Sequence, residues 1–294
     1  MCKLTILTAF LDKNSYFCSF IKEFDLMKDK RILFVSSEVV PYLPETELSS
    51  TAFFSAKNAH SKGIQTRIFM PRFGVINERR HQLHEVIRLS GMNLVVNDMD
   101  MPLIIKVASI PKERMQVYFI DNEEYFKRKA VFTDEDDKLF SDNDERAIFF
   151  AKGVIETVKK LNWAPDIIHV HGWMASLLPL YLKEYYKEEP LFSDSIVVTS
   201  LYNNAFEGSL NSELAKKVQF DMDDASKSAV LNEPTFINIS KSAIQNSDAV
   251  IKASATLPAQ IEESIAATDI PFLDYEDEMS KENYLEFYAQ LLTD

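Results

Sequence analysis

Pro165-Asp166-Ile167-Ile168-His169-Val170-His171-Gly172-Trp173 reads as a buried strand that runs into a turn and then a helix. Ile167, Ile168 and Val170 give the apolar, β-branched run of a strand covered on both faces. His169 and His171 stand two apart, so an extended chain points both side chains to one face. From Ala175 to Tyr186 the pattern turns helical, with Leu177, Leu178, Leu180 and Tyr181 as the apolar face. A polar residue at the carboxyl end of such a strand lies where open α/β sheets hold their ligands, which makes His171 the first functional candidate.

Working outward, strands alternate with helices from residue 31. Arg31–Ser36 is a first strand, Leu48–Lys62 a helix stopped by Gly63, and Gln65–Met70 a second strand closed by Pro71. Short alternating runs at Val86–Leu89, Leu94–Val96, Leu103–Ala108 and Gln116–Ile120 predict a hairpin or meander insert. Glu123–Phe140 is a long connection rich in aromatics and acids, and loops of that length are functional or disordered. Asp144–Leu161 has helical spacing, with Asp142 or Asn143 as its cap. Ser195–Ser200 and Ala249–Ser254 are further strands, with helices at Asn211–Phe220 and Phe236–Asn246 between them. The fold class is therefore α/β: a Rossmann-like, doubly wound, mainly parallel sheet.

A chain of 294 residues with net charge −13 argues against nucleic acid and anionic membranes as partners. No apolar run approaches the roughly 20 residues of a membrane-spanning helix. Residues 1–26 are expected to be a disordered extension or a start placed too early, with Met27 opening the folded part. Both cysteines, Cys2 and Cys18, fall in that segment, so the rest has no thiolate for a disulfide or metal site, and a cytoplasmic location is expected. His169-x-His171 alone makes no zinc site, and neither metal nor cofactor is expected. Residues 27–265 form the expected Rossmann domain, and residues 266–294 an acidic tail ending in a helix at Lys281–Leu292.

Several landmarks occur in order: Ser37-Glu38…Pro41 after the first strand, Met70-Pro71-Arg72-Phe73-Gly74 after the second, Val117–Phe126, Ser141-Asp142-Asn143-Asp144-Glu145-Arg146, and the HVHGW strand end. Together they resemble the amino-terminal catalytic domain of bacterial glycogen synthases and plant starch synthases. The resemblance covers roughly Lys30 to Ile261. It implies the first half of a GT-B glycosyltransferase, transfer of glucose from ADP-glucose to an α-1,4-glucan, and α-glucan (glycogen) and ADP-glucose as partners. It also implies that Asp142 and His171 look toward the sugar as catalytic residues, with Tyr125, Trp173, Tyr202 and Asn203 binding substrate.

The departures shape the functional expectation. The family's K-x-G-G-L donor loop reads here Pro44-Glu45-Thr46-Glu47-Leu48. The glycines that let backbone approach a diphosphate are gone, with the lysine, and two carboxylates stand there instead. H-D-W-H appears as His171-Gly172-Trp173-Met174, and Tyr202 stands where the family has histidine. The sequence stops soon after Ala255-Thr256-Leu257-Pro258, where the family continues into a second domain. The expectation is a glucosyltransferase homologue that is not active alone, with a separate chain as the source of the second GT-B domain. The alternative is a non-catalytic glucan-binding or scaffold protein of glycogen metabolism.

Simpler roles stand beside these. His171 can be bonded only to its neighbours, and His169 reads as structural. Asp142 can merely cap its helix, and Arg146 can partner an acid. Tyr118, Phe119, Tyr125, Phe126 and Phe132 can stack on glucose or fill the core. Glu45 and Glu47 can form a solvated loop, and the tail a solvated end.

Overall fold

The apolar runs pair into one sheet whose central strands bury both of their faces. A computed structural model describes residues 27–222, 224–275 and 283–293; the extension expected at residues 1–26, with its two cysteines, lies outside them. The strands are β1 (Arg31–Ser36), β2 (Gln65–Pro71), β3 (His84–Glu85), β4 (Met92–Val96), β5 (Met99–Ser109), β6 (Gln116–Asp121), β7 (Ile167–His171), β8 (Ile196–Leu201), β9 (Ala249–Lys252) and β10 (Phe272–Leu273). Their order is β10-β9-β8-β7-β1-β2-β6-β5-β3, with β4 hydrogen-bonded to β5. Strands β10 through β6 are parallel, and β5 joins β6 antiparallel to start a meander at one edge.

The helices are α1 (Glu47–Ser61), α2 (Asn143–Leu161), α3 (Leu214–Gln219), α4 (Phe236–Gln245), α5 (Ala259–Ala266) and α6 (Asn283–Leu291), besides shorter turns. The chain winds from β1 to β2 in one direction and from β7 through β8 to β9 in the other. Right-handed crossovers then put α1 on one face and the helices after β7 on the opposite one. The reversal lies between β1 and β7, where Ser36 pairs with His171. Such a switch point opens a crevice at the carboxyl ends of the strands.

Four expectations are corrected. Val86–Leu89 is a turn, closed by Leu89 N–H donating to Val86 O; the edge strand is His84–Glu85, and Ile87 faces solvent. Gln116–Ile120 is no part of a separate insert, since β6 pairs in parallel with β2 inside the main sheet. The helix expected over Ala175–Tyr186 is broken into a 3-10 turn, a short α turn and a π turn. Pro179, which has no N–H to donate, sits at the start of the α piece. The connection Glu123–Phe140 is also not structureless: Asn122 accepts from Glu124 N and Tyr125 N and caps a turn of helix at Glu123–Phe126.

Helix α6 bears on the reading of the tail as a solvated end. Tyr284, Phe287, Tyr288 and Leu291 repeat at i, i+3, i+4 and i+7, and all are buried. The helix packs beside α1 on the face that carries the two histidines. It is docked on the sheet and is no solvated end.

Candidate functional site

Extended geometry at β7 puts His169 and His171 on one face, with ring centroids 3.9 Å apart. Both are fully buried. His169 Nε2 shares a proton with Ser200 Oγ at 2.7 Å, and its Nδ1 with the Tyr288 hydroxyl of α6 at 2.6 Å. His171 Nδ1 meets the Tyr202 hydroxyl at 2.7 Å, while its Nε2 is buried without a partner. Burial holds both rings neutral: His169 lies well below the usual imidazole range, with the neighbouring ring adding to the effect, and His171 is pushed down to about 3.

Gly172 follows His171 at φ +81°, a left-handed conformation that glycine adopts without cost. A Cβ there would lie 2.2 Å from Ser37 Oγ and 2.7 Å from Leu48 Cδ1. The chain can thus fold Leu48 tightly over the strand end, where it clusters with Tyr202 and Ala253. His171, Tyr202 and the loop ending at Leu48 are brought together. Trp173 is buried between Phe132 and Phe206, with centroids at 4.7 and 5.0 Å. Asn203 hydrogen-bonds through its backbone to Ser254 Oγ at 3.0 Å and through its amide to Thr256 at 3.4 Å.

The loop Pro44-Glu45-Thr46-Glu47-Leu48 leads into the N-terminus of α1. That helix end is already capped: Thr46 Oγ1 accepts from Ser49 N, and Ser49 Oγ donates back toward the loop. Glu45 accepts from Ser50 Oγ at 3.3 Å, and Glu47 accepts from Ser254 Oγ. Both glutamates are exposed on their outer side, yet each is anchored. They wall a cavity of about 420 Å³ together with Thr51, Lys252, Asp274 and Tyr284. Lys252, the cation in that wall, is paired with Glu262 at 2.7 Å and lies 3.8 Å from Asp274.

Asp142 and Tyr125 belong to a second group. Asp142 stands at the cap position of α2 but makes no capping hydrogen bond, which corrects the simpler reading. It is gripped instead by Arg128 through two parallel bonds of 2.8 and 2.6 Å. Tyr125 is buried and donates to Glu145 at 3.0 Å, so its ring face is turned to the core rather than outward. Phe119 and Phe126 are fully buried and Tyr118 nearly so. Glu145 and Asp144 share the buried Lys217 ammonium, each at 2.7 Å; burial nonetheless raises the Asp144 pKa from its ordinary value.

Arg146 departs furthest from expectation. It is fully buried and has no acid partner among the described residues: Nη1 donates to Asn143 Oδ1 at 2.6 Å and to Val131 O at 2.8 Å. Phe73, Phe126 and Phe140 surround the guanidinium at 5.2 to 5.5 Å. Desolvation pulls its pKa down to about 9. The residue missed by sequence reasoning is Tyr288, whose signal was the apolar stripe of α6. Among the described residues no group of three or more His, Cys, Asp or Glu side chains converges as a metal set, and no helix is long and apolar enough to cross a membrane.

Comparison with known proteins adds independent information. The profile of the starch synthase catalytic domain matches residues 31–269. A glycogen synthase of Chlorobium limicola is 39% identical over 189 residues, which is 64% of this chain and 39% of that protein. Those of Chlorobium luteolum and Chlorobaculum parvum are 33% and 32% identical over 232 and 237 residues, covering 77% and 80% of this chain and 46% and 48% of theirs. The chain spans less than half the length of these curated relatives. Among solved structures, the catalytic domain of starch synthase IV from Arabidopsis thaliana, bound to ADP and acarbose, superposes with a TM-score of 0.67 at 16% identity. The match covers 86% of this chain and 53% of that one, a likeness of GT-B fold.

Proposed function

The chain belongs to the glycogen and starch synthase family of glycosyltransferases, and from that premise we propose that it is an α-glucan-directed member that does not by itself transfer glucose from ADP-glucose. One observation carries the reading: the N-terminus of α1, the place where the family's glycine loop meets the donor diphosphate, is self-capped and faced by Glu45 and Glu47. A helix N-terminus attracts phosphate through free N–H groups and a positive dipole end. Here Thr46 and Ser49 bind one another across that end. A carboxylate about 4 Å from a phosphate charge adds on the order of 1 to 4 kcal/mol of repulsion. Two such groups outweigh the dipole's contribution of about 0.3 to 1 kcal/mol.

His171 supports the same reading. A group that meets a sugar needs a face open to it, and this ring is enclosed by Tyr202, His169 and Phe34, with α6 lying over His169. In this arrangement its role is to anchor the Tyr202 segment. A second reading, transfer by this chain, is favoured by the unpartnered His171 Nε2, an atom that a substrate hydroxyl would satisfy.

Transfer of labelled glucose from ADP-glucose into glycogen by the purified full chain decides between them. The expected incorporation equals that of a His171→Ala control, together with retention of the chain on immobilised glycogen. Incorporation clearly above the control would establish the second reading, and passage through the glycogen column unretained would remove the glucan from the first.

A further inference from the structure

A second recess lies at the opposite, amino-terminal edge of the sheet, where β2 and β6 begin and where α1 and α2 end. It measures about 360 Å³, and its wall includes His60, Thr66, Arg67, Arg114, Gln116 and Trp163. Among the described residues no carboxylate lines it, although the whole chain carries net charge −13. The recess is thus a local reversal of the molecule's field, of the kind that concentrates anions.

Arg67 is held in place. Its guanidinium stacks against Trp163 at 4.8 Å and Tyr118 at 5.6 Å, which fixes the plane of its donor fork. Its Nη1 is buried with no hydrogen-bond partner, a costly state for a charged donor unless a ligand completes it. Desolvation by burial lowers the Arg67 pKa, and Arg31 and Arg88, close enough to repel it, add to the effect. Arg114 is presented by the β5–β6 turn, in which Lys112 and Arg114 adopt φ of +71° and +58°. Left-handed backbone at two non-glycine residues is the kind of strain that persists at binding loops. Glu113, the acid of that turn, is bound to Lys57 at 2.7 Å. Thr66 Oγ1 and His60 Nδ1 face one another at 3.3 Å and add hydrogen-bonding groups to the wall. The carbonyl ends of α1 and α2 nearby amount to about half a negative charge each, less than the two full guanidinium charges.

We propose that this recess binds a small phosphate monoester, with the Arg67 and Arg114 guanidiniums on the phosphate and the Thr66 and Gln116 side chains completing its hydrogen bonds. Two guanidiniums in the wall of one recess match a dianion, and planar N–H forks suit phosphate oxygens. The site is independent of the α1 N-terminus and of the proposed function.

The test is a titration of phenyl phosphate into the ¹⁵N-labelled full chain, following the Trp163 indole resonance, with phenol as the uncharged control. The expected result is saturable movement of that resonance with a Kd of about 0.1 to 1 mM, little response to phenol, and weakening of about tenfold in Arg67→Gln. The Arg114→Ala variant alters an exposed turn residue, is expected to weaken binding in the same sense, and decides the matter alone if Arg67→Gln does not fold. No saturable shift up to roughly 10 mM, an equal response to phenol, or unchanged affinity in the variants would overturn the assignment.

Discussion

His169 and His171 are neutral in the folded chain because burial strips them of water, and an unfolded chain would return both to an ordinary value near 6.5. Between those limits the unfolded state binds more protons than the folded one. The stability these rings contribute is therefore complete above about pH 6.5 and is lost as pH falls through that window toward His171's value of about 3. The slope is at most about 1.4 kcal/mol per pH unit for each ring. Asp144 and Glu38, raised by burial, act with the opposite sign and moderate it. Urea midpoints measured at pH 7.5 and pH 5.5 should show a loss of about 1 to 2 kcal/mol at the lower pH. A His169→Gln, His171→Gln double variant should show a flatter response, and an equal loss in that variant would mean that other groups govern the dependence.

At the scale of elements, α6 is tied to the sheet by its apolar stripe and by one polar contact, Tyr288 to His169 Nδ1. Tyr288→Phe keeps the stripe and leaves that nitrogen unpaired in the core. A destabilisation of about 1 to 3 kcal/mol is expected by urea unfolding, whereas a neutral result would mean that water reaches the ring. The main strands and α1, α2 and α4 could be read from the sequence because their apolar periods are long and their caps local. His171 was legible as a polar residue at a strand's carboxyl end, whereas Tyr202 and the loop before α1 entered only through the family resemblance. The rest depends on contacts distant in sequence. The Tyr288–His169 bond spans 119 positions, and the apolar stripe of α6 signals a buried face without naming the partner. Arg146 read as an acid's partner because a buried cation ordinarily has one; its cage is assembled from Phe73, Phe126 and Phe140, which only the folded chain brings together. Val86–Leu89 read as a strand because four residues carry too little period to separate a strand from a turn.

On the scale of the whole molecule, the chain joins a family's fold to a loop before α1 that carries two carboxylates, Glu45 and Glu47. The sheet order, the switch point between β1 and β7 and the HVHGW strand end place it with the glycogen and starch synthases. The same architecture brings the N-terminus of α1 to the crevice, where one expected positive charge has given way to two negative ones at Glu45 and Glu47. The net charge of −13 reinforces the local repulsion toward an anionic donor. The most direct test of this account is a calorimetric titration of ADP-glucose into the full chain at low ionic strength. The account predicts no saturable binding, or a Kd weaker than about 1 mM, which is less than about 4 kcal/mol of binding free energy. Saturable binding at micromolar concentrations, lost on adding excess ADP, would contradict it.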